Sequence, residues 1–207
     1  METIIIATNN QGKVKDFEAL FNPMGFQIKS LKDFPEIQEV EETGTTFEEN
    51  SILKAEFLAS ELNTPVIADD SGLIVDALEG RPGVYSARYA GLHKSDEDNL
   101  QKVLSELEGV FPGKRTARFY CALALAIPGK ETITVHGTVE GYIANEKRGT
   151  NGFGYDPIFF LPELDKTMAE LTTDEKGGLS HRANAIKSLM NVINKEDKDS
   201  LFRGSNK

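Results

Sequence analysis

Two aspartates stand side by side, Asp69 and Asp70, directly after the apolar run Val66-Ile67-Ala68 and before Ser71-Gly72. Adjacent carboxylates repel each other unless a cation lies between or beside them. Ligands of open α/β sheets gather outside the carboxyl ends of strands, where this pair is expected. Hard Mg²⁺ takes oxygen ligands while keeping several of its waters, so it suits such a pair. Asp-Asp-Ser-Gly is also good turn chemistry. A turn does not require two carboxylates after a fully apolar strand, and the pattern therefore reads as a metal site.

Four further groups could join that chemistry. Thr8-Asn9-Asn10-Gln11-Gly12-Lys13 leads from a strand into a helix, so that free backbone N–H groups, side-chain donors and one lysine meet an anion at the helix start. It does not have the spacing of a Walker A loop, and an ordinary strand-to-helix turn with a surface lysine would look the same. Glu41-Glu42-Thr43-Gly44 precedes a helix that carries Asn50 and Lys54 one turn apart on one face. Taken singly, those acids read as helix-dipole partners and that lysine as solvated.

Residues 149–156, GTNGFGYD, place three glycines around two aromatics. Backbone can come close to a flat ring there, with Phe153 or Tyr155 stacking on it. Lys176 precedes Gly-Gly-Leu-Ser, and Ser180 is read as the N-cap of the last helix, with His181 and Arg182 in its first turn. Cations face the positive end of the helix dipole at that position. An anionic or oxo-bearing ligand would compensate them.

These groups need a scaffold that alternates strands and helices. A strand is expected over 3–8 and a helix over 12–21, with Val14, Phe17, Leu20 and Phe21 inward. A second strand covers 26–31. The helix over 46–62 opens on a Thr46/Glu49 capping box and presents Leu53, Phe57, Leu58 and Leu62 as its apolar stripe. A short strand over 66–68 then opens onto Asp69-Asp70-Ser71-Gly72. After a Gly/Pro-rich loop comes a helix over 96–108, a long antiparallel hairpin over 115–127 and 131–144, the glycine-rich loop and a final helix over 180–195. The pattern is that of a mixed sheet in an α/β protein, one domain over 1–195 with a polar tail over 196–207.

Composition narrows the partners. The 207 residues carry a formal net charge of −10, which argues against a nucleic-acid polymer, since phosphate backbones are met by broad basic surfaces. A small anionic ligand held by a few placed cations and a metal fits better. No run approaches the roughly 20 apolar residues of a membrane span. Cys121 is the single cysteine, which leaves no intrachain disulfide and makes the cytoplasm the expected location. Cys121 reads as core, and neither His93 nor His136 makes a metal-ligand spacing with it.

The ordered set TNNQGK at 8–13, EETGTTFEENSILKA at 41–55, IADDSGL at 67–73, RPGVYSARYAG at 81–91, NGFGYDPIF at 151–159 and DEKGGLSHR at 174–182 resembles the inosine triphosphate pyrophosphatase family. The resemblance implies an elongated α/β protein with a long mixed sheet, two lobes around a central substrate cleft, and a homodimer. It implies a metal-dependent enzyme that splits purine nucleoside triphosphates such as ITP, dITP and XTP into the monophosphate and pyrophosphate.

By the same resemblance Thr8, Asn9, Asn10, Gln11, Gly12 and Lys13 bind the triphosphate. Asp70 is proton acceptor and Mg²⁺ ligand, with Mn²⁺ as the alternative ion, and one of Glu41 and Glu42 helps hold the metal. Ser71 touches substrate, Phe153, Gly154, Tyr155 and Asp156 line the base pocket, and Lys176, His181 and Arg182 complete it.

In this scheme Lys13 and Lys54 neutralise phosphate charge while water attacks the α-phosphorus. A metal-bound carboxylate is a poor proton acceptor, so Asp69 and Asp70 are expected to divide the work, one as ligand and one handling the water. Arg182 is expected to donate to the 6-oxo group of the base, a contact adenine cannot make. Two rivals are a pyrophosphatase for other modified nucleotides and a nucleotide sensor without turnover.

Overall fold

A computed structural model describes residues 2–9, 11–37, 40–93, 95–195 and 202. Among them lies a seven-stranded mixed sheet, in the order β2-β1-β3-β4-β5-β6-β7. β1 (Glu2–Ile6) pairs in parallel with β2 (Phe26–Ser30) and with β3 (Val66–Val75). β4 (Thr116–Ala126) and β5 (Ile133–Ile143) are neighbours joined by a tight turn in which Lys130 N–H donates to the Ile127 carbonyl. β6 (Phe159–Leu161) runs antiparallel to β5 and to β7 (Lys166–Thr167). The helices are α1 (Gln11–Phe21), α2 (Phe47–Leu62), α3 (Asp96–Glu106), α4 (Thr173–Leu179) and α5 (His181–Lys195). The expected α/β class and mixed sheet hold.

The chain forms two compact units: Met1–Asp70 with Ala122–Gly137 and Ala185–Lys207, and Ser71–Cys121 with Thr138–Asn184. The first contains a core of Ile5, Val66, Ala68, Ala124 and Ala126 against Ala55, Leu58 and Ala59 of α2. The second is built on Leu73, Val75, Leu100, Val103, Phe119, Phe159 and Met168.

Two expectations change. The apolar run expected as a short strand with the aspartates at its carboxyl end is part of a ten-residue strand, and Asp69 and Asp70 lie in its middle. Local turn chemistry at 69–72 gives way to sheet pairing. In α2 the predicted stripe is rotated: Leu53 and Phe57 are 40% and 45% exposed. The buried face is Phe47, Asn50, Ser51, Ala55, Leu58 and Ala59, where small side chains let the helix lie close to the sheet. The capping box is present as read, with Thr46 Oγ1 accepting from Glu49 N–H and the Glu49 carboxylate accepting from Thr46 N–H.

Candidate active site

Side chains alternate across a strand, so neighbours at 69 and 70 point to opposite faces of the sheet. Asp69 faces Lys13, in the first turn of α1, and both its oxygens accept from Nζ, at 2.9 and 2.7 Å. Its side chain is only 1% exposed. The two aspartates therefore do not crowd one cation, as the sequence suggested; each has its own lysine. Thr8 and Asn9 follow β1, with Thr8 O accepting from Leu31 N–H at 3.3 Å, and Gln11 and Gly12 open α1. No acidic residue occupies that first turn, so its N–H groups remain matched to an anion. Asn10 lies outside the described residues.

Asp70 faces α2. Asn50 Nδ2 donates to Asp70 Oδ2 at 3.1 Å, and Asn50 Oδ1 accepts from Gly44 N–H at 2.8 Å. Asn50 is fully buried, so the 41–46 segment and Asp70 are tied through one amide whose orientation is set by both partners. Lys54, one turn on, donates to the Asp69 carbonyl at 2.8 Å and to Glu42 Oε1 at 2.9 Å, with Asp70 Oδ1 at 3.5 Å. Glu42 is thus the glutamate of the pair that joins the cluster. Glu41 is exposed and takes part in no ion pair among the described residues.

The electrostatics follow from this crowding. Burial pushes the Asp70 carboxyl up to about 6; Lys54 and the Asn50 hydrogen bond oppose the rise, while Glu42 and Asp69 add to it. For Lys54, burial disfavours the charged form, but Asp70, Glu42 and Asp69 outweigh it and hold the ammonium above its ordinary value. A carboxylate poised near neutrality beside a fixed cation can take a proton from water.

The donor set also suits a hard cation. Among the described residues no group of three His, Cys, Asp or Glu side chains is gathered to cage a metal. Mg²⁺ does not ask for one, being bound through one or two carboxylates with water and phosphate oxygens. Asp70 and Glu42, both drawn to one ammonium, are the carboxylates within reach of such an ion.

In the second unit, the glycine-rich loop is folded around Asp156, which is 4% exposed. Asp156 Oδ2 accepts from Phe153 N–H at 2.9 Å and is ion-paired with Lys176 Nζ, from α4. Gly152 has φ +83°, and a side chain there would collide with the Asp156 carboxylate. Phe153 is 58% exposed, with Lys176 Nζ 5.2 Å from its ring centroid. Tyr155 differs: it is buried, and its hydroxyl donates to Ser86 O at 2.7 Å. Of the two aromatics offered for stacking, Phe153 alone presents an open face.

Ser180 Oγ accepts from Ala183 N–H at 3.1 Å, as an N-cap of α5 does. His181 and Arg182 are both buried, the His181 ring stacked on Phe119 at 5.1 Å. Ser71 is half-buried, next after Asp70 on β3.

A family model described as the Ham1 family matches residues 4–192. The chain belongs to the Ham1 family. Ham1 relatives confirm the resemblance drawn from the motifs. A Bacillus subtilis (strain 168) protein named dITP/XTP pyrophosphatase is 60% identical over 193 residues, 93% of this chain and 98% of its own. A protein of the same name from Listeria monocytogenes serotype 4b is 61% identical over 91% of this chain and 93% of its own. The solved Staphylococcus aureus Ham1 protein is 50% identical with a TM-score of 0.89, covering 95% of this chain and all of that one.

Within this Ham1 chain, the sequence noted Asn50 only as a neighbour of Lys54. Its signal was a polar residue at the first buried turn of a helix, a place that favours apolar side chains unless both amide ends find partners.

Proposed function

We propose that this chain hydrolyses deaminated purine nucleoside triphosphates, dITP, ITP and XTP, to the monophosphate and pyrophosphate with Mg²⁺ bound, Mn²⁺ serving as the alternative. As a class it is a nucleoside-triphosphate pyrophosphatase, a hydrolase acting on acid anhydrides. The observation that carries the finer reading is the Lys54 cluster. A nearly buried carboxylate of raised pKa and a second carboxylate stand around one ammonium, with Lys13 and Asp69 paired on the other face of the strand, in a chain that matches its relatives almost end to end.

In this reading Asp70 accepts the proton of the attacking water, and Asn50 fixes which carboxylate oxygen faces it. Lys54 neutralises phosphate charge while keeping Glu42 and Asp70 together. Asp69, too buried to reach water, acts by aiming Lys13 at the triphosphate. Mg²⁺ would be held through Glu42 with water and phosphate oxygens, leaving Asp70 to take the proton, and would supply charge neutralisation at the phosphates and polarise the phosphorus under attack. Phe153 stacks on the base, Asp156 and Lys176 hold the loop that carries it, and Arg182 donates to the 6-oxo group. The reading includes a homodimer and a cytoplasmic location, as the resemblance and the single cysteine imply. Among the described residues no helix is long and apolar enough to cross a membrane.

The test is a panel of triphosphates, modified pyrimidines included, with phosphate and pyrophosphate distinguished as products. The expected result is pyrophosphate release from dITP, ITP and XTP at kcat/KM about 10² or more above ATP. Arg182→Ala is expected to collapse that ratio. Preferential turnover of a modified pyrimidine, or tight ITP binding with no turnover in Mg²⁺, would replace this reading by one of its rivals.

A further inference from the structure

Phe153 presents its ring to solvent and is held through its backbone, by two carboxylates from different parts of the chain. Asp156 Oδ2 takes the N–H of Phe153 itself, and Asp96 Oδ2 takes the next one, Gly154 N–H, at 2.8 Å. Gly152 and Gly154 both have positive φ, +83° and +60°, so the segment carrying the ring has little conformational preference of its own. The pair of acceptors on either side of it, with the Asp156 N–H to Phe153 O turn bond and Lys176 over the ring, holds it in place.

Asp96 is the first residue of α3 and stands 58 residues before Gly154. It is exposed, but the helix that carries it is not free to move. α3 is anchored by Leu100 and Val103 in the core and by Asn99, which is 2% exposed. Asn99 Oδ1 accepts from Ala90 N–H at 2.6 Å, and its Nδ2 donates to Ala87 O at 3.2 Å. A buried amide satisfied at both ends cannot shift without losing both bonds. The helix is a fixed post, and Asp96 is the acceptor it holds out to the glycine-rich loop.

The geometry points to Asp96 as a positioning residue for base recognition, setting the orientation of Phe153 through the Gly154 amide without touching substrate. This rests on the proposed role of the loop as the base site. An ordinary alternative is that Asp96, like Glu97 and Asp98 beside it, only complements the dipole of α3. The two differ in what asparagine does. Asparagine keeps the acceptor and loses the charge.

Binding of the two products separates the base from the phosphates without turnover. Calorimetric titration of the full chain with dIMP and, separately, with inorganic pyrophosphate is expected to show Asp96→Ala weakening dIMP about fivefold to tenfold and leaving pyrophosphate within about twofold. Asp96→Asn is expected to stay within about twofold of the parent for both. In turnover, Asp96→Ala is expected to raise KM for dITP by a similar factor with kcat nearly unchanged.

Phe153→Ala is the control for the underlying reading. If it leaves dIMP binding unchanged, the loop is not the base site and the proposed base pocket fails. If Phe153→Ala weakens dIMP but Asp96→Ala does not, the inference about Asp96 fails alone. Equal losses in Asp96→Asn and Asp96→Ala, or equal weakening of dIMP and pyrophosphate, would return Asp96 to a charge on a helix end.

Discussion

Asp70→Asn is expected to give a protein that folds more firmly and turns over substrate about 10² to 10⁴ times more slowly. The catalytic half follows from the loss of the proton acceptor, and added Mg²⁺ is not expected to restore it. The stability half follows from linkage. The Asp70 carboxyl sits at about 6 in the folded chain against an ordinary 3.8, so the folded state binds its proton more tightly. Its favourable contribution is complete below about pH 3.8 and lost as pH rises through about 6; above that the ionised group opposes folding.

The gap corresponds to about 3 kcal/mol at neutral pH. Asparagine removes the charge and keeps the shape. Urea denaturation in chelator at pH 7.5 is the measurement, with the variant expected to be the more stable by about 2–3 kcal/mol and the advantage gone near pH 4. A variant less stable than the parent at pH 7.5 would mean that the pairing with Lys54 and Asn50 outweighs burial.

Lys54→Met is expected to do the opposite to stability and also to stop turnover. Methionine fills the aliphatic space of the lysine, but Glu42 and Asp70 lose the ammonium between them and the Asp69 carbonyl loses its donor. Removing one partner from a mostly buried charge cluster costs about 2–4 kcal/mol. The cost is expected to shrink as pH falls from 8 to 4.5, because the stranded carboxylates then take protons. Denaturation midpoints across that range check it. A cost that is constant with pH would assign Lys54 to packing. Combined with Asp70→Asn, the Lys54→Met loss is expected to be smaller than in the parent, by about 1 kcal/mol.

The site was legible in the sequence where chemistry is local. A Thr46/Glu49 capping box needs only four residues to form, and it is there; Ser180 caps α5 for the same reason. Lys13 at a helix start and Lys54 one turn beyond Asn50 were likewise readable from spacing. What escaped was set by distant partners. Asp69-Asp70-Ser71-Gly72 reads as the carboxyl end of a short strand until pairing draws it into the middle of β3. Leu53 and Phe57 read as core, but the small face of α2 packs closer to the sheet and leaves them outside. Gly177-Gly178 hid α4, whose capping box at Thr172 and Glu175 is formed all the same. Tyr155 read as a stacking ring, and only a hydroxyl partner on a remote segment, Ser86, removes it from that role.

The placement of both aspartates inside a strand bears on how sequence variants of this chain are to be judged. A substitution at 66–68 changes packing and leaves the faces of β3 as they are. An insertion or deletion of one residue there shifts the register by one, and in a strand that exchanges the two faces for every residue beyond it. The residue number that carries the chemistry would then point at α1, and its neighbour at α2, each opposite the wrong lysine. Single-codon length changes just upstream of Asp69 are therefore expected to be null, where volume-conserving apolar changes at the same codons leave each aspartate facing its own lysine.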